Sequence, residues 1–175
     1  MPAPDAELRP ARRDEVAAVR NLAGRIWRAH YPGIITAAQI DYMLERGYAP
    51  DALVGFLARP DRGLELALVG DEPVGFAAWF VTEAPAEAKL DKLYVLQAHQ
   101  RSGLGGALIR RVRALARAAG ASTLVLNVNK NNAQAIRAYE KYGFSIREAV
   151  VVDIGGGFVM DDYVMATSLG HDAPA

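Results

Sequence analysis

The residues Gln100–Leu108, QRSGLGGAL, run from a glycine-dense turn straight into an amphipathic helix. Such a junction suits an anion. The first turn of a helix leaves main-chain N–H groups unpaired, and the helix dipole is positive there. Glycine at 103, 105 and 106 would let a phosphate come close to the backbone. The two commonest phosphate loops do not fit. A Walker A loop ends in Gly-Lys-Ser/Thr, whereas this run is Gly105-Gly106-Ala107-Leu108. A dinucleotide fingerprint needs glycine where this chain has Leu108, and an acidic residue about 20 positions on, where it has AAGAST. Taken alone, the turn is either an anion cradle of another kind or a tightly packed helix start.

Other chemistry is narrowed by what is missing. There is no cysteine, which removes disulfides, thiolate metal sites and a Cys nucleophile together. His30, His99 and His171 are far apart and form no zinc spacing, so no metal is expected. Lys+Arg and Asp+Glu number 20 each, which argues against a nucleic-acid partner. No apolar run approaches the roughly 20 residues that span a bilayer. The N-terminus lacks the basic and apolar regions of a secretory signal. A cytoplasmic protein without a membrane partner is the simplest reading.

The elements that must position the turn can be read from periodicity. The chain is 175 residues long, which fits one domain. Composition places tails at 1–7 and 170–175 and the domain over 8–169. Helical spacing covers 14–27; Thr36 and Gln39 look like a capping box for a helix to about Leu44; a short helix fits 51–57. Strands over 64–69 and 74–81 form a hairpin across the turn at 70–73, and 90–95 is a third strand. The helix after the glycine turn ends near Gly120. A buried strand at 123–128, a helix at 132–142 and strands at 144–153 and 158–167 follow. The whole is an α/β fold with a sheet of mixed direction. In the long helix Leu104, Leu108, Val112 and Leu115 form the buried stripe, and Arg110, Arg111, Arg113 and Arg117 read as a solvated face.

Two motifs together carry a resemblance. Gln100-Arg101-Ser102-Gly103-Leu104-Gly105 fits the [QR]-x-x-G-x-[GA] pattern of the GNAT acyltransferases, just beyond a strand ending in Leu93-Tyr94-Val95. About 25 residues later, Asn132, Ala135 and Tyr139, with Gly143-Phe144, resemble that family's second signature. Gln97 departs from the family, where proline is common. The resemblance implies a mostly antiparallel sheet with a splayed central strand pair and helices on both faces. It implies acetyl-CoA as cofactor, with small-amine and polyamine acetyltransferases nearest in character. Its pyrophosphate would rest on Gln100, Arg101, Ser102, Gly103, Leu104, Gly105 and Gly106. Leu93, Tyr94 and Val95 would meet the carbonyl and pantetheine through the main chain, with the Val95 N–H as oxyanion donor. Asn132 and Ala135 would contact pantetheine, and Tyr139 would be the general acid at sulfur.

The base is less defined. A position used by some members falls near Asn127, which takes no proton from an ammonium. Other members use an acidic residue on the strand before the turn, often through a water. The resemblance puts Asp91 in that place, with Glu83 second, and strand alternation sets Asp91 on one face with Leu93 and Val95. A water chain is the remaining option. The resemblance also puts the acceptor wall in the first two helices and their loop. There Trp27, His30, Tyr31, Asp41 and Tyr42 would suit a small-molecule or peptide amine; Trp27 and Tyr42 equally suit a core. Dimers are common in this superfamily.

Overall fold

The computed structural model describes residues 5–170. The expected tails at 1–4 and 171–175 lie outside the described residues. Five helices are present: α1 (Val16–His30), α2 (Ala37–Gly47), α3 (Pro50–Leu57), α4 (Leu104–Ala118) and α5 (Ala133–Lys141). Seven strands form one sheet: β1 (Ala6–Pro10), β2 (Arg62–Val69), β3 (Glu72–Val81), β4 (Glu87–Val95), β5 (Thr123–Asn129), β6 (Ser145–Gly155) and β7 (Phe158–Ser168). Their order is β1-β2-β3-β4-β5-β7-β6, antiparallel except for the β4–β5 pair. None of the described helices is long and apolar enough to cross a membrane.

The apolar pattern explains the layers. Along β2, Leu64, Leu66 and Leu68 alternate with Glu65 and Ala67; along β3, Phe76 and Ala78 alternate with Ala77 and Trp79. One set packs on α1, α2 and α3 with Val19, Ile26 and Trp27. The other packs on α4 with Leu104, Leu108 and Val112, and α5 adds Ile136 and Tyr139. The sheet therefore has a helical layer, and a core, on each face.

Three expectations change. β1 begins at Ala6, inside the segment read as a tail, and pairs with β2 from Ala6 opposite Val69 to Pro10 opposite Glu65. Five residues ending in proline carry little strand signal, but an edge strand tolerates both shortness and proline. The arginines of α4 are not simply solvated. Arg111 donates to the buried Glu65 at 2.5 Å; Arg113 and Arg117 donate to the main chain of the last strand and the residue after it, at Ser168 and Leu169. Finally, the alternation read through Asp91 is broken. Ala78 faces Lys92 while Trp79 faces Leu90, so Asp91 is the extra residue of a β-bulge. The bulge lets Leu90 share the α4 side with Leu93 and Val95.

Replacing Arg111 with Ala strands the Glu65 carboxylate in the core. We expect a loss of about 2–3 kcal/mol in denaturant unfolding, the low end for a buried pair because Arg111 is partly exposed. Adding Glu65→Gln to that variant should restore part of the loss; no recovery would mean that Arg111 acts by packing alone.

Candidate active site

The β4–β5 pairing is short. Glu87, Ala88 and Lys89 face Thr123, Leu124 and Val125, and there it stops. Beyond it the two strands part. The N–H of Leu96 donates to Val74 on β3, so one residue back the Val95 N–H points the other way, into the gap. By the same alternation the Leu93 N–H also faces the gap. A cleft of about 660 Å³ fills this opening and continues to the glycine turn on one side and to the aromatic residues of α1 on the other.

At the turn, each glycine has its own reason. Gly103 sits at φ +84, the left-handed N-cap conformation that glycine adopts freely. Gly105 lines the cleft, and a Cβ there would meet nothing within 4 Å. Gly106 is buried, and a Cβ there would collide with the Tyr142 ring. Arg101 is also left-handed at φ +62. Among the described residues, the first main-chain hydrogen bond of this helix start is from Ala107 to Gly103, which leaves the N–H groups of 101–106 without a main-chain partner. That is a concave set of donors at the positive end of α4. The Gln100 side chain does not face the donors; its amide bonds the Val95 carbonyl at 3.2 Å and fixes the turn to β4. Ser102 likewise bonds the His99 carbonyl, and Leu104 is core. Ser102 and Leu104 can serve an anion only through their N–H groups.

α5 stands across the gap. Asn132 caps it by accepting from the Ala135 N–H at 3.4 Å and is itself buried. His30, expected in the acceptor wall, contacts the same Asn132 oxygen through Nε2 at 3.2 Å and so links α1 to α5. Ala135 and Tyr139 line the cleft. Desolvation, with a smaller push from Tyr31, raises the Tyr139 phenol above its ordinary range and keeps it protonated.

On the opposite face lies an aromatic wall. Trp27 stacks on Tyr31 at 4.4 Å and reaches Tyr94 at 5.6 Å, and the Tyr31 and Tyr94 hydroxyls are 3.0 Å apart. Trp27 is buried, so it is both core and wall. Asp41 and Tyr42 are not in the cleft. Asp41 is an exposed partner of Arg28 at 2.6 Å. The Tyr42 hydroxyl donates to the Ile154 carbonyl, and its ring packs under Gly155 and Gly156. Both residues sit on the outward side of α2, which anchors the β6–β7 hairpin. Glu83 is exposed in the β3–β4 loop, at the far end of β4. Asp91 does line the cleft, but the Lys92 ammonium holds its carboxylate at 2.6 Å.

One residue of the cleft was missed altogether. Asp162, in the middle of β7, is 1% exposed, and neither carboxylate oxygen has a hydrogen-bond partner among the described residues. Desolvation raises its pKa, opposed first by the Asn127 amide on the neighbouring strand. The signal lay in VMDDYVM: an inward position of an apolar strand carries an acid.

Comparison with known proteins agrees with this architecture. Residues 18–144 match the model of the acetyltransferase (GNAT) family. An uncharacterised N-acetyltransferase of Mycobacterium tuberculosis is 30% identical over 156 residues, which cover 89% of this chain and 97% of that one. The mycothiol acetyltransferase of Corynebacterium glutamicum is 38% identical over 86 residues, 47% of this chain and 28% of that protein. The PaiA N-acetyltransferase of Thermoplasma acidophilum, solved in complex with coenzyme A, superposes with a TM-score of 0.80 at 20% identity, covering 93% of this chain and 98% of that one. The chain belongs to the GNAT acetyltransferase family. The donor used by that family is acetyl-CoA.

The glycines make a paired test. Gly106→Ala should lower stability by about 1–3 kcal/mol through the Tyr142 clash. Gly105→Ala should hold or raise it, because alanine is the better helix former. Thermal melting of the two variants decides; equal losses would refute the distinction.

Proposed function

We propose that this chain is an N-acetyltransferase that moves an acetyl group from acetyl-CoA to a primary amine by direct attack in a ternary complex. The observation that carries the reading is the parted β4–β5 edge, with main-chain donors on one wall and a buried phenol on another. The N–H groups of 101–106 and the Arg101 side chain suit the pyrophosphate, and Asn132 and Ala135 suit the pantetheine arm. Bound acetyl-CoA would supply the thioester. The Val95 N–H would meet its carbonyl oxygen as charge develops. Tyr139, neutral in its desolvated setting, would give the sulfur its proton. No cysteine is present to carry an acyl group, which supports direct attack.

Asp91 remains the base that the resemblance implies, though Lys92 already occupies it. The acceptor is a small-molecule or peptide amine meeting the thioester from the Trp27, His30 and Tyr31 side. A second copy of the chain is the proposed partner: β6 is a sheet edge and exposes Ile146, Val151 and Val152.

Tyr139→Phe is expected to bind acetyl-CoA as the native protein does and to lose roughly 10²–10⁴ of kcat, followed by thiol release with a panel of primary amines. Unchanged turnover would remove Tyr139 from the chemistry. In thermal shift, acetyl-CoA should raise Tm where NAD and ATP do not; a chain that binds acetyl-CoA but acetylates no amine is a binding module instead.

A further inference from the structure

We propose that Asp162 seats the ammonium group of a cationic acceptor and takes its proton. This rests on the acetyltransferase reading above and names both the base and the charge class of the substrate.

Three observations converge. The first is that the carboxylate is buried and, among the described residues, has no ion pair and no hydrogen-bond partner within 3.5 Å. The Asn127 amide is the side chain that most favours its charged form, and a native fold rarely leaves such a group so weakly compensated. The second is its face. Tyr163 and Met165 pack with the α4 core, so Asp162 and Val164 point to the other side of the sheet. Val128 also joins the α4 core, which turns Asn127 and Asn129 to the same side as Asp162. That side is the one walled by Tyr31 and His30, where an acceptor would enter opposite the donor. The third is the opening itself. Asp162 and Tyr139 lie on opposite faces of the sheet yet line one cleft, and Tyr31 stands close enough to act electrostatically on both. The parted strands thus join a buried anion to a buried proton donor.

The charged groups around Asp162 leave it available. Lys130, in the loop after β5, is held by Asp161 at 2.5 Å. Lys89 on β4 acts on Asp162 through charge alone, without an ion pair within 4.0 Å among the described residues. Tyr31, just past the end of α1, is close enough to interact with it electrostatically, and the adjacent His30 is occupied with Asn132. By contrast Asp91, the base that the resemblance implies, has a lysine on it.

The proton balance closes. Asp162 takes one proton from R–NH3+, freeing the lone pair. The nitrogen–carbon bond forms and the carbon–sulfur bond breaks, with the electron pair passing to sulfur. Tyr139 protonates the sulfur and recovers a proton from the new amide nitrogen. Asp162 then releases its proton to water.

The test uses the full chain, acetyl-CoA and a panel of alkyl diamines and monoamines, reading thiol release. Asp162→Asn is isosteric and removes an unpaired charge, so its Tm and its acetyl-CoA affinity should be no worse than native. Its kcat/KM should fall about 100-fold or more. In the native protein kcat/KM should rise with pH along a limb that lies above the ordinary Asp range of about 4 and well under the amine's own titration near 10. Asp162→Asn should lack that limb. A limb that persists belongs to another group of the cleft and overturns the assignment. So does a variant that keeps native kcat/KM while the native protein is active; the acetyltransferase reading then stands without Asp162. Turnover of no amine by the native protein, with acetyl-CoA bound, would remove that reading and this proposal together. Should Asp162→Asn not fold, the native pH profile alone decides: no limb below the amine's own titration excludes a carboxylate base.

Discussion

The structure turns on one local event: β4 and β5 pair for three residues and then separate. Parallel strands normally continue their ladder, because each unpaired main-chain group is a loss. Here β4 stays bound to β3 through Val95, so the groups left open belong to one edge only. Leu93 and Val95 present N–H donors to the gap. The bulge at Asp91 falls within the parted stretch and resets which side chains face each core. It keeps Leu90, Leu93 and Val95 on the α4 side and Tyr94 on the α1 side. A sheet that would otherwise divide the molecule into two sealed cores becomes a passage between them.

The glycine turn is subordinate to that passage. It begins where β4 ends, and Gln100 ties it back to the last carbonyl of the strand. Gly105 is open to the cleft and Gly106 is closed against Tyr142, so adjacent glycines answer to a ligand and to packing respectively. Both readings of QRSGLGGAL therefore hold, one residue apart. Tyr142 follows directly on α5, so the same contact sets the distance between the two helices that flank the gap.

Much of this was legible. The α4 start, the α5 face and every strand from β2 onward follow from periodicity and turn residues, since those segments are long and strongly patterned. β1 was not, because five residues of mixed polarity ending in proline carry little strand signal and gain their order from pairing with β2 and from Ala6 and Leu8 packing on the core. The arginines of α4 misled because spacing on a helix cannot say that a buried Glu65 or the chain's own last residues lie opposite. Asp41 and Tyr42 misled for a related reason. α2 has two polar sides: Gln39, Met43 and Gly47 line the cleft, while Tyr42 and Arg46 hold the triple-glycine hairpin. The bulge was invisible, since one extra residue in a strand leaves no compositional mark, yet it decided the environment of Asp91.

Asp161 and Asp162 show what burial adds to sequence. The two are chemically identical neighbours on one strand. Asp161 faces outward and is neutralised by Lys130. Asp162 faces inward, opposite Asn129 on β5 and Val150 on β6, where among the described residues no cation pairs with it and Lys89 and Lys130 act through charge alone. Its pKa is raised by desolvation, so folding favours the protonated acid. The stability this brings is present at pH below about 4, the range of a free Asp, and is lost as pH rises through the raised value. Wherever the group is ionised, the fold carries a carboxylate that it would be more stable without. A sequence free to relax would place Asn or Val at 162. Retaining an unpaired charge on the acceptor side of an open passage is understandable if an incoming cation completes the pair, and such strain is commonly found where a site is kept ready for its ligand.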